Sequence, residues 1–252
     1  MKRLLAAVSF LTRLPTPRNL IFEAGDVGRA TIFFPLVGAL IGLIQIVALQ
    51  LFPAAARENT LKAVLIAALL VVVSVFVTGA LHLDGLADMA DGFGGGRDKA
   101  RTLEIMRDSL IGSYGAVGLI LLLILKITAI AALLENAAAW KFLIVAPAVG
   151  RWATVPLGKF LPYARKSGGL GQSITDFVGW NEVAGASVLT AIFLFGLLDW
   201  RNAAILWMVA VSITVFIGRL CRRKIGGITG DTMGANTEIC ETAILLAAVF
   251  LR

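Results

Sequence analysis

"YGAVGLILLLILKITAIAALL", residues 114–134, holds a single charged side chain, Lys126, in twenty-one positions. A helix of that length spans the hydrocarbon layer of a bilayer. Comparable stretches recur at approximately Ile32–Leu51, Ala63–Leu81, Ala138–Leu157, Val183–Leu198, Ala203–Gly218 and Ile239–Leu251, the last three being short. Composition agrees: 58% of the 252 residues are hydrophobic and 15% charged, and mean hydropathy is +0.88. Soluble domains lie nearer to half apolar and a quarter charged. The sequence therefore predicts an all-α fold, a polytopic membrane helix bundle of about seven transmembrane helices plus interfacial helices. No linker or repeat divides it, so residues 1–252 read as one integral membrane domain. The opening "MKRLLAAVSFLTRLPTP", residues 1–17, resembles a signal peptide. Arg13 interrupts its apolar run and no small-x-small site follows, which favours a retained interfacial helix. Its leucines and Phe10 are expected to face lipid, with Lys2, Arg3 and Arg13 among headgroups.

The net charge of +7 is explained by membrane topology without invoking nucleic acid. With the N-terminus inside, the cytoplasmic loops carry sixteen basic residues, among them Arg18, Arg97, Lys99, Arg107, Arg165, Lys166 and Arg222, against five outside, Arg252 included. That bias places every polar, glycine-rich loop on the cytoplasmic face. Cys221 and Cys240 show neither metal spacing nor a disulfide framework and are expected to be reduced.

Immediately before the long apolar run lies "HLDGLADMADGFGGG", residues 82–96. Asp84, Asp88 and Asp91 follow i, i+4, i+7 spacing, which puts them within one narrow arc of a helix. Carboxylates on one stripe repel unless a cation sits among them, and hard oxygen ligands suit magnesium or manganese. The plain alternative is a solvated face paired with arginines. The glycines Gly92 to Gly96 are expected to end the helix, and Asp98 to cap the next. In "RDKARTLEIMRDSLIGSYG", residues 97–115, Leu103, Met106 and Leu110 form an apolar stripe while Arg101, Glu104 and Asp108 share another face, as in an amphipathic surface helix. Glu104 and Asp108 either complete a second metal site or pair with Arg101 and Arg107.

"KIGGITGDTMGANTEICE", residues 224–241, mixes Gly226, Gly227, Gly230 and Gly234 with Thr229, Asp231, Thr232 and Asn236. Glycine lets backbone amides approach an anion, and the following helix dipole favours phosphate. It is not a P-loop, lacking the lysine and the spacing; the plain reading is a flexible turn. Asp231 is a metal ligand or a base. Arg151, inside a span, is expected to meet a phosphate or an acid, and Lys126 an interior partner. His82 lies off the aspartate stripe and is either structural or a base. In "YARKSGGLGQSITDFVGWNE", residues 163–182, Arg165 and Lys166 either hold a phosphate or are positive-inside charges.

Five segments together resemble the cobalamin synthase family, the adenosylcobinamide-GDP ribazoletransferases. They are "FLTRLP" at Phe10, "FFPLVGALIG" at Phe33, "HLDGLADMADG" at His82, "LEIMRDSLIGSYG" at Leu103 and "GGITGDTMGANTE" at Gly226. They span nearly the whole chain in the expected order; the glycine-rich "FGGG" is a small departure. The resemblance implies a magnesium-dependent enzyme of the bacterial cytoplasmic membrane. It would join adenosylcobinamide-GDP to α-ribazole or its 5′-phosphate, release GMP and use no nucleic acid; a homo-oligomer is compatible. On this reading Asp84, Asp88, Asp91 and Asp231 are catalytic, and the same four with Glu104 and Asp108 are the metal ligands. Substrate would meet Arg107, Asp108, Arg151, Gly226, Gly227, Thr229, Gly230 and Asn236. Two other classes share features. A CDP-alcohol phosphatidyltransferase uses the same metal logic, but its "DG-x-x-A-R" continuation is absent here. A transporter would place acids at mid-span.

Overall fold

The computed structural model describes residues 1–17, 20–166, 168–169 and 171–251; Arg18 and Arg252, counted in the charge bias, lie outside the described residues. Helix α1 (Lys2–Leu11) leads into α2 (Ala24–Ala30), which passes through a 3₁₀ turn into α3 (Phe34–Leu49). The short α4 (Ala54–Arg57) precedes α5 (Thr60–Thr78), α6 (Leu81–Gly95) and α7 (Lys99–Ile105). Then follow α8 (Ser113–Leu134), α9 (Ala139–Phe160), α10 (Gln172–Phe177), α11 (Trp180–Leu197), α12 (Trp200–Ile225) and α13 (Gly230–Phe250). Among the described residues the one β pairing outside helices is an isolated bridge, Tyr163 to Ile228.

Among the described residues, six helical stretches are long and apolar enough to cross a membrane: Ala24–Leu49, Thr60–Thr78, Ser113–Leu134, Trp180–Leu197, Trp200–Ile225 and Gly230–Phe250. The protein is a multi-pass, all-α membrane bundle. The seventh expected span, Ala138–Leu157, is α9. It has the length, but it carries Lys141, Arg151 and Lys159 and is largely buried against α3, α11, α12 and α13. The helices expected to be short are longer because their polar ends are helical too. Thus Gly230–Glu238, expected as a loop, forms the first turns of α13. Local signals set the ends. Asn59, Asp98, Asp199 and Thr229 accept backbone N–H groups at the starts of α5, α7, α12 and α13. Gly226 closes α12 in the left-handed region at φ 73°.

Three expectations are corrected. Helix α6 runs through the glycines to Gly95, because α7 folds back onto them: side chains at Gly92 and Gly96 would collide with Met106 and Thr102. Helix α7 stops at Ile105, so Met106 is buried but Leu110, 79% exposed, leaves the apolar stripe. Helix α1 does not lie on lipid alone. Ala6, Ala7 and Leu11 are buried, and Phe10 stacks on Phe34 with ring centroids 5.8 Å apart.

Close backbone approach organises the bundle. Gly38 and Gly42, one turn apart on α3, meet the backbone of α9 at Pro147 and Leu143, the small-x-x-x-small contact of membrane helices. A Cβ on Gly85 of α6 would lie 2.7 Å from the Asp231 carbonyl oxygen, and one on Gly234 of α13 would lie 3.2 Å from the His82 Cα. Inside, Lys126 of α8 bonds Glu238 and Glu241 of α13, each at 2.7 Å. Arg151 of α9 pairs with Glu241. Two cations and two carboxylates thus tie three helices, as buried charges require.

Gly85→Ala is expected to destabilise the protein by about 1–3 kcal/mol through forced separation of α6 and α13. Gly196→Ala, where a Cβ meets nothing within 4 Å, should be neutral or slightly stabilising. Thermal denaturation in detergent compares them directly. Glu241→Ala, which strands Arg151, should cost about 3–5 kcal/mol by the same measurement.

Candidate active site

The crossing of α6 and α13 brings Asp84 and Asp88 toward Asp231. One helical turn separates the two α6 carboxylates, and Gly85 between them removes the side chain that would hold α13 away. At the start of α13, Thr229 Oγ1 accepts the Thr232 amide at 3.2 Å and donates to Asp231 Oδ2 at 3.3 Å. Arg165 donates to the same Oδ2 at 2.6 Å and to the Met106 carbonyl at 3.2 Å. Asp231 Oδ1 therefore has no protein hydrogen bond among the described residues. The loop bearing Arg165 is fixed by a backbone exchange: Ala164 N–H donates to Ile228 O at 2.8 Å and Ile228 N–H to Pro162 O at 2.9 Å. Gly227 permits this, since a Cβ there would strike the Pro162 carbonyl.

A cavity of about 270 Å³ opens at this junction, with Asp84, Asp231, Arg165, Tyr163, Gly230 and Phe10 among its walls. Asp88, half-buried beside it, has its pKa pushed up to about 7, first by burial and then by the Asp231 and Asp84 carboxylates. His82 also lines the cavity, with Nδ1 buried and unpartnered. Burial, and then Arg151, lower its pKa to about 3, so the imidazole is neutral.

Several expected site residues lie elsewhere. Asp91 leaves the stripe: its Oδ2 accepts the Gly112 amide at 2.7 Å and its Oδ1 the Gly115 amide at 2.8 Å, capping α8. The cause is distance along the helix and not angle: i+7 spacing leaves Asp91 about 20° from Asp84 but about 10 Å further along α6, where the start of α8 meets it. Glu104 is exposed and paired with Arg101 at 2.9 Å, and Asp108 accepts the Leu110 amide, so no second carboxylate pair forms. Arg151, 2% exposed, is held by Glu241 in the interior and does not reach the cavity. Asn236 is fully buried and donates to the Ala153 carbonyl at 3.2 Å. Of the expected phosphate cradle, Gly226 and Gly227 shape the chain, Thr229 steadies Asp231, and Gly230 and Gly234 line the cavity with Asp231. Arg107 lines an adjacent groove. The residues that sequence reasoning underweighted are Arg165, Tyr163 and Phe10. An arginine in a glycine-rich loop was the available signal for the first.

A family model described as Cobalamin-5-phosphate synthase matches residues 3–249. The chain belongs to this family. Curated relatives named adenosylcobinamide-GDP ribazoletransferase are similar over nearly the full length. The protein of Syntrophobacter fumaroxidans is 38% identical over 96% of each chain. That of Pseudomonas fluorescens is 39% identical over 95% of this chain and 96% of the relative. That of Chlorobaculum tepidum is 37% identical over 99% and 96%. No solved structure matches. This member of the Cobalamin-5-phosphate synthase family is thus an enzyme of cobalamin synthesis, a multi-pass membrane transferase.

Among the described residues no three His, Cys, Asp or Glu side chains converge closely enough to hold a metal ion by themselves. Magnesium, however, takes one or two carboxylates and completes its shell with water and substrate phosphate. Burial first, and then the Asp231 and Asp84 carboxylates, raise the proton affinity of Asp88, and a divalent cation would relieve the carboxylate part of that cost. One or two carboxylates from among Asp84, Asp88 and Asp231 could therefore hold such an ion; Asp91, Glu104 and Asp108, committed to backbone amides or to arginine, could not. Asp91→Ala in this family member is expected to lose about 1–2 kcal/mol of stability with the α8 cap. Turnover of the same protein, titrated against magnesium in an activity assay, should follow the wild-type curve.

Proposed function

We propose that the chain is the magnesium-dependent transferase that joins adenosylcobinamide-GDP to α-ribazole or α-ribazole 5′-phosphate, with the cavity at the α6–α13 crossing as its active site. The observation that carries this reading is the meeting of Asp84, Asp231 and Arg165 at one cavity, with Asp88 within electrostatic reach of all three, in a chain of this family. An acceptor hydroxyl attacks the phosphorus on the cobinamide side of the diphosphate. One P–O bond forms to the acceptor and the bridging P–O bond breaks. GMP leaves with the bonding electrons and the hydroxyl proton is released. One or two of the Asp84, Asp88 and Asp231 carboxylates would hold magnesium, which would supply positive charge to the diphosphate oxygens and the leaving group.

The protein's own groups supply position. The Arg165 guanidinium, anchored to the Met106 carbonyl and to Asp231, presents a fixed cation beside the phosphates. Thr229 and Arg165 both bind Oδ2 of Asp231, which orients Oδ1 for a ligand. This favours Asp231 as a ligand over a base, since a loose phosphoryl-transfer transition state does not require one. Phe10 and Phe34 wall off the cavity from the apolar side and limit water. The basic bias of the loops supports a cytoplasmic opening in a bacterial inner membrane. Glu238 and Glu241 do stand at mid-bundle, where a transporter would want acids, but both are neutralised by Lys126 and Arg151.

Purified protein in lipid vesicles, given adenosylcobinamide-GDP, α-ribazole 5′-phosphate and magnesium, is expected to release GMP. Asp84→Asn, Asp88→Asn and Asp231→Asn should each lower turnover at least about a hundredfold. Residual Asp231→Asn activity should need more magnesium at an unchanged pH profile. Wild-type turnover in all three would sink the assignment. Cysteines at the exposed positions Arg97 and Lys166 should resist an impermeant reagent added to intact cells and react once the membrane is opened; labelling from outside would reverse the topology.

A further inference from the structure

Beside the cavity, between α7 and the 161–166 loop, lies a groove of about 610 Å³ that the reaction as described leaves unused. Its charged walls are Lys99, Arg107, Arg165 and Lys166, with Glu104 as the one acid. Glu104 already pairs with Arg101 at 2.9 Å. Among the described residues, Lys99, Arg107 and Lys166 have no acid within ion-pair distance. Scattered loop cations that set topology need no concavity. Cations gathered in a concave wall repel one another and focus a positive potential, an arrangement that an anion relieves. Lysine and arginine together suit a phosphate, the lysines as point charges and the arginines as forks.

Arg165 is a wall of both spaces. Its Nη2 is committed to Asp231 and Met106, while its Nε is buried without a partner. An anion in the groove therefore sits against the same guanidinium that steadies the catalytic carboxylate. In ribazole 5′-phosphate the phosphate and the ribose hydroxyls belong to one sugar. A phosphate seat one side chain away from the carboxylates lets a hydroxyl of that sugar enter the cavity.

We propose that the groove is the seat of the acceptor's phosphomonoester, held by Lys99, Arg107, Lys166 and Arg165, and that it selects phosphorylated over unphosphorylated ribazole. The proposal rests on the transferase reading above. Phospholipid headgroups offer the same phosphate chemistry from a second source, so the test separates the two.

GMP release is measured with the full chain in vesicles, using α-ribazole 5′-phosphate and α-ribazole in turn. The ratio of kcat/KM for the two acceptors is the readout, because it does not depend on how much of a preparation is folded. Arg107→Gln and Lys166→Gln are each expected to lower that ratio at least about tenfold, through KM for the phosphorylated acceptor. Arg223→Gln, the same charge change on an exposed part of α12 outside the groove, should leave it at the wild-type value. An unchanged ratio in the groove variants overturns the proposal, as does an equal loss with both acceptors. Repeating the series in phosphatidylcholine vesicles with and without phosphatidylglycerol covers the lipid source. A dependence of the variants' defect on anionic lipid, with no change in the ratio, assigns the cations to headgroups and also overturns it. Failure of the wild type to release GMP with either acceptor would remove the transferase reading, and the seat with it.

Discussion

Everything at the site depends on two helices touching backbone to backbone. Where α6 crosses α13, Gly85 faces the main chain of Asp231 and Gly234 faces that of His82. A membrane helix pair gains little from apolar burial, since lipid tails are as apolar as leucine. Close packing must then supply the attraction, and it does so only where no side chain intervenes. The same small residues that let the helices meet also leave Asp84 and Asp88 on the near side of α6, within electrostatic reach of Asp231. Like charges gathered this way oppose the contact that gathers them. The opposition is tempered by Arg165 on Asp231 and by the partial protonation implied for Asp88 near neutral pH.

Helix α13 carries this load because it is pinned from behind. Its middle turns hold Glu238 and Glu241, which reach Lys126 on α8 and Arg151 on α9, while Asn236 and Thr237 bond the backbone and side chains of α9. In a low-dielectric interior an unpaired member of such a set is costly, so the pairs specify one rotational setting of α13. That setting aims Asp231 at α6. Asp91 performs the matching task on the other helix by capping α8 through two amides, which fixes the end of α6 against the neighbouring span.

The helical, membrane-spanning character was legible because apolar length and composition report it directly, as residues 114–134 do. The stripe of Asp84, Asp88 and Asp91 was legible as a pattern, but spacing gives angular position along one helix and not the neighbour waiting there. The amides of Gly112, just before α8, and Gly115 within it took Asp91, and no periodicity in α6 announces that. Arg151 was legible as a buried charge, while its partner, Glu241, lies ninety residues away in a span that hydropathy truncates at Ile239. The glycine-rich run after Lys224 serves close packing at Gly227 and Gly234 and lines the cavity at Gly230 and Gly234, because glycine suits close packing as readily as an open wall. Arg165 was visible, but nothing local says that the Tyr163–Ile228 bridge carries it to Asp231.

The buried quartet of Lys126, Arg151, Glu238 and Glu241 sums to no net charge. A lone elementary charge moved across a bilayer feels about 2.3 kcal/mol for every 100 mV of membrane voltage. A compensated set placed together feels almost none, since the pull on each cation is matched by the push on its carboxylate. The element that sets the angle of α13 is therefore electrically silent, and swings in the energised state of the membrane do not reach the cavity through it.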